Sequence, residues 1–143
     1  MTENDIAYLA GLIDGEGSIY YRKTKQKRNT RPKKPVHNVT VIRLEIAMTD
    51  KDTVKWCHDT FQCGSFGERK VKPGYKRQWR WRVSHRDCLE ICVAVWPHIK
   101  NKLHKIEQVI DHYERYDGVD RDNVVDLENY RLTRKFNWNL HGN

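Results

Sequence analysis

The chain has 143 residues, 38% hydrophobic and 10% aromatic, enough apolar material for one folded domain with its own core and too much for a disordered segment. Lys and Arg outnumber Asp and Glu by 27 to 19, a formal charge of +8 with a pI near 9.4, which points to a polyanionic partner, nucleic acid first. No apolar run approaches the roughly 20 residues that span a bilayer, and no basic region followed by an apolar stretch opens the chain, so the expected setting is intracellular, in cytoplasm or an organelle matrix and away from membranes.

In chain order, the first element is a helix opening at Asp5 and running through Leu9-Ala10-Gly11-Leu12-Ile13-Asp14-Gly15-Glu16-Gly17. Ile6, Tyr8, Leu9, Leu12 and Ile13 recur at helical spacing, and Ala7, Ala10, Gly11 and Asp14 form a second stripe of small residues. Small residues three and four apart let another helix approach closely, at a cost of about 1 kcal/mol in helix propensity for an interior glycine. Asp14 and Glu16 stand at the C-terminal end, where the helix macrodipole favours cations, so acids there predict a bound cation. Gly15 and Gly17 permit positive φ and leave the backbone bare, so that a carbonyl and a carboxylate can share one metal ion.

Ser18 to Thr24 alternates as a half-buried strand, Ile19 and Tyr21 on one face and Tyr20, Arg22 and Thr24 on the other. Residues 22 to 34 are a basic run at a hairpin tip, readable either as a solvated loop or localisation signal or as a DNA contact. Val36 to Met48 is the returning strand, Ile42, Leu44 and Ile46 inward and Val41, Arg43 and Glu45 outward. Thr49-Asp50-Lys51-Asp52 resembles a capping box that opens a helix through Val54, Trp56, Cys57 and Phe61, ending near Gly64. Ser65 to Val71 reads as a third strand that includes Arg69, and Lys72-Pro73-Gly74-Tyr75 as a type II turn. Arg77 to Val83 follows as a fourth strand, with Trp79, Trp81 and Val83 inward. Its outward Gln78, Arg80 and Arg82 are the residue types that pair with adenine and guanine in the major groove. Residues 85 to 95 form a short helix, and Pro97 is expected to start another that carries Ile99, Leu103, Ile106, Ile110 and Tyr113. Residues 122 to 138 predict one further helix.

The four cysteines, Cys57, Cys63, Cys88 and Cys92, include no C-x-x-C pair, so they read as buried reduced thiols rather than zinc ligands.

The nonamer Leu9 to Gly17 resembles the signature of the LAGLIDADG homing endonucleases, with Gly15 and Glu16 where the signature has Ala and Asp. The element order over about residues 5 to 115 is similar to the single-motif members. The resemblance implies an α+β protein of α-β-β-α-β-β-α order with a saddle-shaped four-stranded antiparallel sheet plus C-terminal helices. It reads residues 1–143 as one endonuclease domain, the core at about 5–115 and a helical extension at about 118–138. It further implies a homodimer packed through motif helices, with Ala7, Ala10, Gly11 and Asp14 at the interface and Asp14 serving the helix end rather than a metal.

Each sheet would read half of a long, roughly palindromic double-stranded DNA site through Tyr20, Arg22, Thr24, Arg43, Glu45, Arg69, Gln78, Arg80 and Arg82. Glu16 and the Gly15 carbonyl would hold Mg²⁺, a site Mn²⁺ or Ca²⁺ can share, for hydrolysis of both strands. Lys102 is the preferred match to the family's basic residue near the scissile phosphate, with Lys100 second. Relatives often place Gln at the end of the second strand, where this chain has Met48 followed by Thr49. Thr49 or another polar group substitutes, or the enzyme is slow, or the register is one residue off. The alternative function is a non-cleaving family member, an intron maturase holding RNA or a DNA-binding regulator. A basic protein-binding adaptor is the third.

Overall fold

The computed structural model describes residues 1–26 and 37–116 of the chain. In order these form α1 (Glu3–Glu16), β1 (Gly17–Gln26), β2 (His37–Met48), α2 (Lys51–Phe61), β3 (Ser65–Arg69), β4 (Gln78–Ser84), α3 (His85–Val95) and α4 (Leu103–Tyr116). The expected α+β class holds, with one antiparallel sheet of order β1-β2-β4-β3. Residues 27–34 of the basic run, Val36 at the expected start of the returning strand, and the C-terminal extension lie outside the described residues.

Strand alternation sorts the sheet into two faces. Ile42, Leu44 and Ile46 of β2 and Trp81 and Val83 of β4 are at most 1% exposed, and helices cover this face. Leu9, Ala10 and Ile13 of α1, Val54 and Cys57 of α2, Cys88, Ile91, Cys92 and Val95 of α3, Trp96 and Ile99 behind it, and Ile106, Val109 and Ile110 of α4 complete the core. Each buried Leu, Ile or Val side chain contributes about 1.5–3 kcal/mol by leaving water. The cysteines are free thiols, three of them in this core, with Cys88 and Cys92 Sγ 3.9 Å apart on consecutive turns. Trp79, expected inward, is only half-buried, between the cationic groups of Lys51 and Arg77 at 5.8 and 5.3 Å from its ring. Among the described residues no helix is long and apolar enough to cross a membrane.

Local chemistry moved several boundaries. α1 begins at Glu3 because Thr2 and Asp5 form a reciprocal capping box, Asp5 N–H to Thr2 Oγ1 at 3.2 Å and Thr2 N–H to Asp5 Oδ2 at 2.9 Å. The capping box expected at residues 49 to 52 is absent, since Asp50 Oδ2 accepts the Thr53 hydroxyl at 2.7 Å instead of a backbone N–H. The Pro73-Gly74 turn stands as read, with Gly74 at φ +91 and the Tyr75 N–H on the Lys72 carbonyl at 3.2 Å. The largest difference is at Pro97. The helix expected there starts only at Leu103, because an acid from α1 takes the N–H groups of residues 100 to 102.

Candidate functional site

α1 ends in Asp14-Gly15-Glu16-Gly17 with no base in its last turn, so the sequence leaves its terminal carbonyls without a cation. Tertiary structure supplies one. Lys102 Nζ donates to the carbonyls of Ile13, Asp14 and Gly17 at 2.8, 3.2 and 2.5 Å, using all three ammonium protons on the negative end of α1. Asp14 returns the favour from the other side. Its carboxylate accepts the backbone N–H groups of Lys100 (2.8 Å), Asn101 (3.2 Å) and Lys102 (3.0 Å), the donors ahead of α4. The two helix ends therefore cap each other, and the acid placed against the dipole of its own helix serves the positive end of the next.

This arrangement bears on two expectations. The Lys102 ammonium is engaged by the end of α1, whereas Lys100, two residues earlier, has an exposed side chain. The Asp14 carboxylate, expected at a dimer interface, is engaged by three N–H groups of its own chain. The glycines also act differently from their reading, since neither Gly15 nor Gly17 is among the positive-φ positions. Gly17 is required by space: a Cβ would stand 2.8 Å from both Cα and O of Ile13.

Glu16 follows Asp14 on an exposed stretch with Gly15. Asp14 has three donors, whereas Glu16 forms no ion pair with the described residues. No group of three or more His, Cys, Asp or Glu among the described residues converges into a metal cage. One carboxylate beside one bare carbonyl fits a hard cation that takes its other oxygens from phosphate and water, as Mg²⁺ does, and does not fit an all-protein site.

The small-residue stripe is rotated from its expected position. Ala10 is 1% exposed and belongs to the core of its own chain, so it is not available to another helix. The exposed positions are Ala7, Gly11 and Gly15, four apart on one face, and a Cβ at Gly11 or Gly15 would meet nothing within 4 Å. Tyr8, 53% exposed, borders this stripe and packs edge-on against Trp56 of α2 at 5.0 Å.

Cross-strand register gathers the residues singled out on the strands. Tyr20 opposes Arg43, Arg22 opposes Val41 and Thr24 opposes Val39. Glu45 opposes Arg82, which opposes Ser65, and Ala47 opposes Arg80, which opposes Gly67; Gln78 opposes Arg69. Tyr20, Arg22, Thr24, Arg43, Glu45, Arg69, Gln78, Arg80 and Arg82 thus share the sheet face turned away from the core, five arginines against one glutamate. Arg43 stacks 4.6 Å over the Tyr20 ring, and Arg22 Nη1 donates to the Tyr20 hydroxyl at 3.3 Å. Arg69 Nη1 donates to Gln78 Oε1 at 3.4 Å, and Arg82 is held by Glu45 at 2.8 Å. Met48 ends β2 opposite Trp79, packed against the core, with Thr49 exposed beyond it.

No protein-family model and no curated protein sequence matches the chain. Solved structures do. A complex of the homing endonuclease I-CvuI with its target in the presence of calcium superposes with TM-score 0.60 at 17% identity, over 76% of this chain and 65% of that one. The homing endonuclease I-TnaI gives 0.54 at 20% identity, over 77% of this chain and 74% of the other. The archaeal intron-encoded homing endonuclease I-Vdi141I, complexed with DNA, gives 0.58 at 12% identity over 99% and 86%. The fold is that of the LAGLIDADG homing endonucleases. The chain spans 65% of the length of the I-CvuI chains it matches.

Within the LAGLIDADG fold, the nonamer occupies the C-terminal half of α1 and runs directly into β1, so Glu16 lies where the helix meets the sheet. Sequence reasoning missed the cross-capping of Asp14 and Lys102. No local pattern reports it, because 88 residues separate the partners. The only sequence signal was the misplaced acid itself.

Proposed function

We infer that the chain is a single-motif LAGLIDADG homing endonuclease, a homodimer that cuts both strands of a long, roughly palindromic DNA site with a divalent metal. The observation that carries this reading is the contrast at the end of α1: Asp14 is fully engaged by its own chain, and the neighbouring Glu16 is exposed with no internal ion pair. An exposed, unpaired charge at the junction of α1 and β1, in a chain whose open sheet face is arginine-rich, has an external task.

Glu16 with the Gly15 carbonyl is the metal-holding pair for Mg²⁺, with Mn²⁺ or Ca²⁺ able to use the same oxygens. When bound there, a divalent cation supplies the Lewis acidity that phosphodiester hydrolysis needs. Lys100 takes the role first given to Lys102, a cation facing the phosphate, on a turn that Asp14 holds in place. The exposed Ala7, Gly11 and Gly15 stripe packs against its copy, which brings two Glu16 side chains together, one for each strand. The open sheet face then lies in the major groove of each half-site.

The inward packing of Met48 favours a second reading, a family member that binds DNA or RNA without cutting, since the side chain that ends β2 is apolar and cannot orient water. One experiment separates the two. Wild-type and Glu16→Gln proteins are compared on a DNA duplex reconstructed by joining the sequences that flank this reading frame in its gene. The expected result is metal-dependent double-strand cleavage by wild type and binding without cleavage by the variant. Cleavage by Glu16→Gln removes Glu16 from the chemistry, and binding without cleavage by wild type selects the second reading.

A further inference from the structure

Two arginines of β4 project from the open face in different settings. Arg82 is buttressed: its Nε and Nη2 both donate to Glu45 Oε2, at 3.0 and 2.8 Å, and the two side chains are only 29% and 20% exposed. One edge of the guanidinium is spent, and the end-on edge bearing Nη1 keeps its donors. Arg80, on the same face, stands between Ala47 on β2 and Gly67 on β3. Neither neighbour has a side chain beyond Cβ, a Cβ at Gly67 would meet nothing within 4 Å, and Arg80 forms no ion pair with the described residues.

We propose that Arg80 and the Glu45–Arg82 pair are the guanine readers of this chain, and that each half-site carries two guanines two base pairs apart. The proposal rests on the nucleic-acid reading above. An arginine that only neutralises phosphate gains nothing from a carboxylate beside it, because that carboxylate repels the same phosphate. An arginine that must present two N–H groups to guanine O6 and N7 does gain, because the carboxylate fixes its rotamer before binding. Glu45 Oε1, which the ion pair leaves unused, is placed to accept the N4 amino group of a cytosine next to the guanine. Residues two apart on a strand are about 6.8 Å apart, and base steps along a groove are about 3.4 Å, so β4 laid along the groove puts its two arginines on bases two steps apart.

Glu45 and Arg82 would also form as an ordinary cross-strand pair, so the test reads sequence preference and stability together. Wild type, Arg80→Ala and Glu45→Gln are each used to enrich a randomised pool of duplex DNA in the presence of Ca²⁺, and their melting temperatures are measured alongside. Wild type is expected to enrich a two-fold symmetric sequence with G-N-G in each half. Arg80→Ala should lose preference at one guanine, by roughly 5- to 150-fold against the other bases, and keep the other. Glu45→Gln should lose it at the second guanine and its neighbouring cytosine while melting within a few degrees of wild type. Enrichment of sites without the paired guanines, or Arg80→Ala selecting the wild-type sequence, overturns this proposal and leaves the DNA reading intact. No enrichment of any duplex overturns both.

Discussion

Replacing Lys102 by Met keeps an unbranched four-atom stem of similar shape and removes the terminal ammonium group, so the change chiefly reports what that charge does. In the structure it donates to three carbonyls at the end of α1, at 2.8, 3.2 and 2.5 Å. A hydrogen bond from a charged donor contributes about 1.5–3 kcal/mol, and carbonyls that regain water recover part of it, so the net loss is about 2–4 kcal/mol. For a chain of this size that lowers the melting temperature by roughly 5 to 15 °C. Asp14→Asn should cost about 1–3 kcal/mol, because its amide turns an NH2 toward one of three backbone donors. The double variant should lose less than the sum by about 0.5–3 kcal/mol, since either change opens the same joint. Lys100→Met, on an exposed side chain, should melt like wild type and lose cleavage. Thermal melting followed by circular dichroism and a plasmid cleavage assay read all four proteins. Lys102→Met that melts with wild type and has lost only cleavage would refute the reasoning, restoring Lys102 to the chemistry.

The glycines of α1 should respond with opposite signs. Gly11→Ala adds a Cβ with nothing within 4 Å and gains up to about 1 kcal/mol of helix propensity, so the protomer should be as stable or more so while the homodimer weakens in sedimentation; an unchanged dimer removes Gly11 from the interface. Gly17→Ala drives a Cβ to 2.8 Å from the Ile13 backbone and should cost about 1–3 kcal/mol in a denaturant melt. Burial pushes the Cys57 thiol up to about 12 and the Cys63 thiol up to about 11 from an ordinary 9.0. Because the folded values lie above the unfolded ones, their contribution is intact below about pH 9 and is lost as pH rises toward 11 and 12. The urea midpoint should therefore fall between pH 8 and pH 10, by less in Cys57→Ala, and an equal fall in that variant would discount the thiol. DNA affinity should drop steeply with salt, and Arg22→Ala should reduce the log–log slope by about 0.9; affinity insensitive to salt would favour a protein-binding adaptor.

Most of the fold was legible because its elements are written in short-range patterns. Period-2 alternation placed Ile42, Leu44 and Ile46 inside and Arg43 and Glu45 outside, and the structure keeps that division in the paired strands. The Pro73-Gly74 turn demanded a residue at positive φ and received one. Boundaries that failed did so where a distant group won. Pro97 and the apolar spacing behind it satisfy every local rule for a helix start, yet the N–H groups of residues 100 to 102 found a carboxylate from α1 before a helical carbonyl. Ala10 satisfied the rule for a small-residue stripe equally well. Only the direction in which the core lay assigned it inward and left Ala7, Gly11 and Gly15 outside.

The sequence by itself determined which chemistry the chain can carry: an acid pair at a helix end, arginines in strand register and a basic surplus for a polyanion. Residue type and spacing set those, and no later folding event alters them. Tertiary structure decided which member of each pair is engaged within the fold. Asp14 and Glu16 are both carboxylates and Lys100 and Lys102 both amines, equivalent by composition and nearly so by position. Packing α1 against the turn before α4 joined Asp14 and Lys102 to each other's helix ends, where unpaired carbonyls and N–H groups would otherwise be costly. Glu16 and Lys100, one step outside that joint, keep exposed side chains.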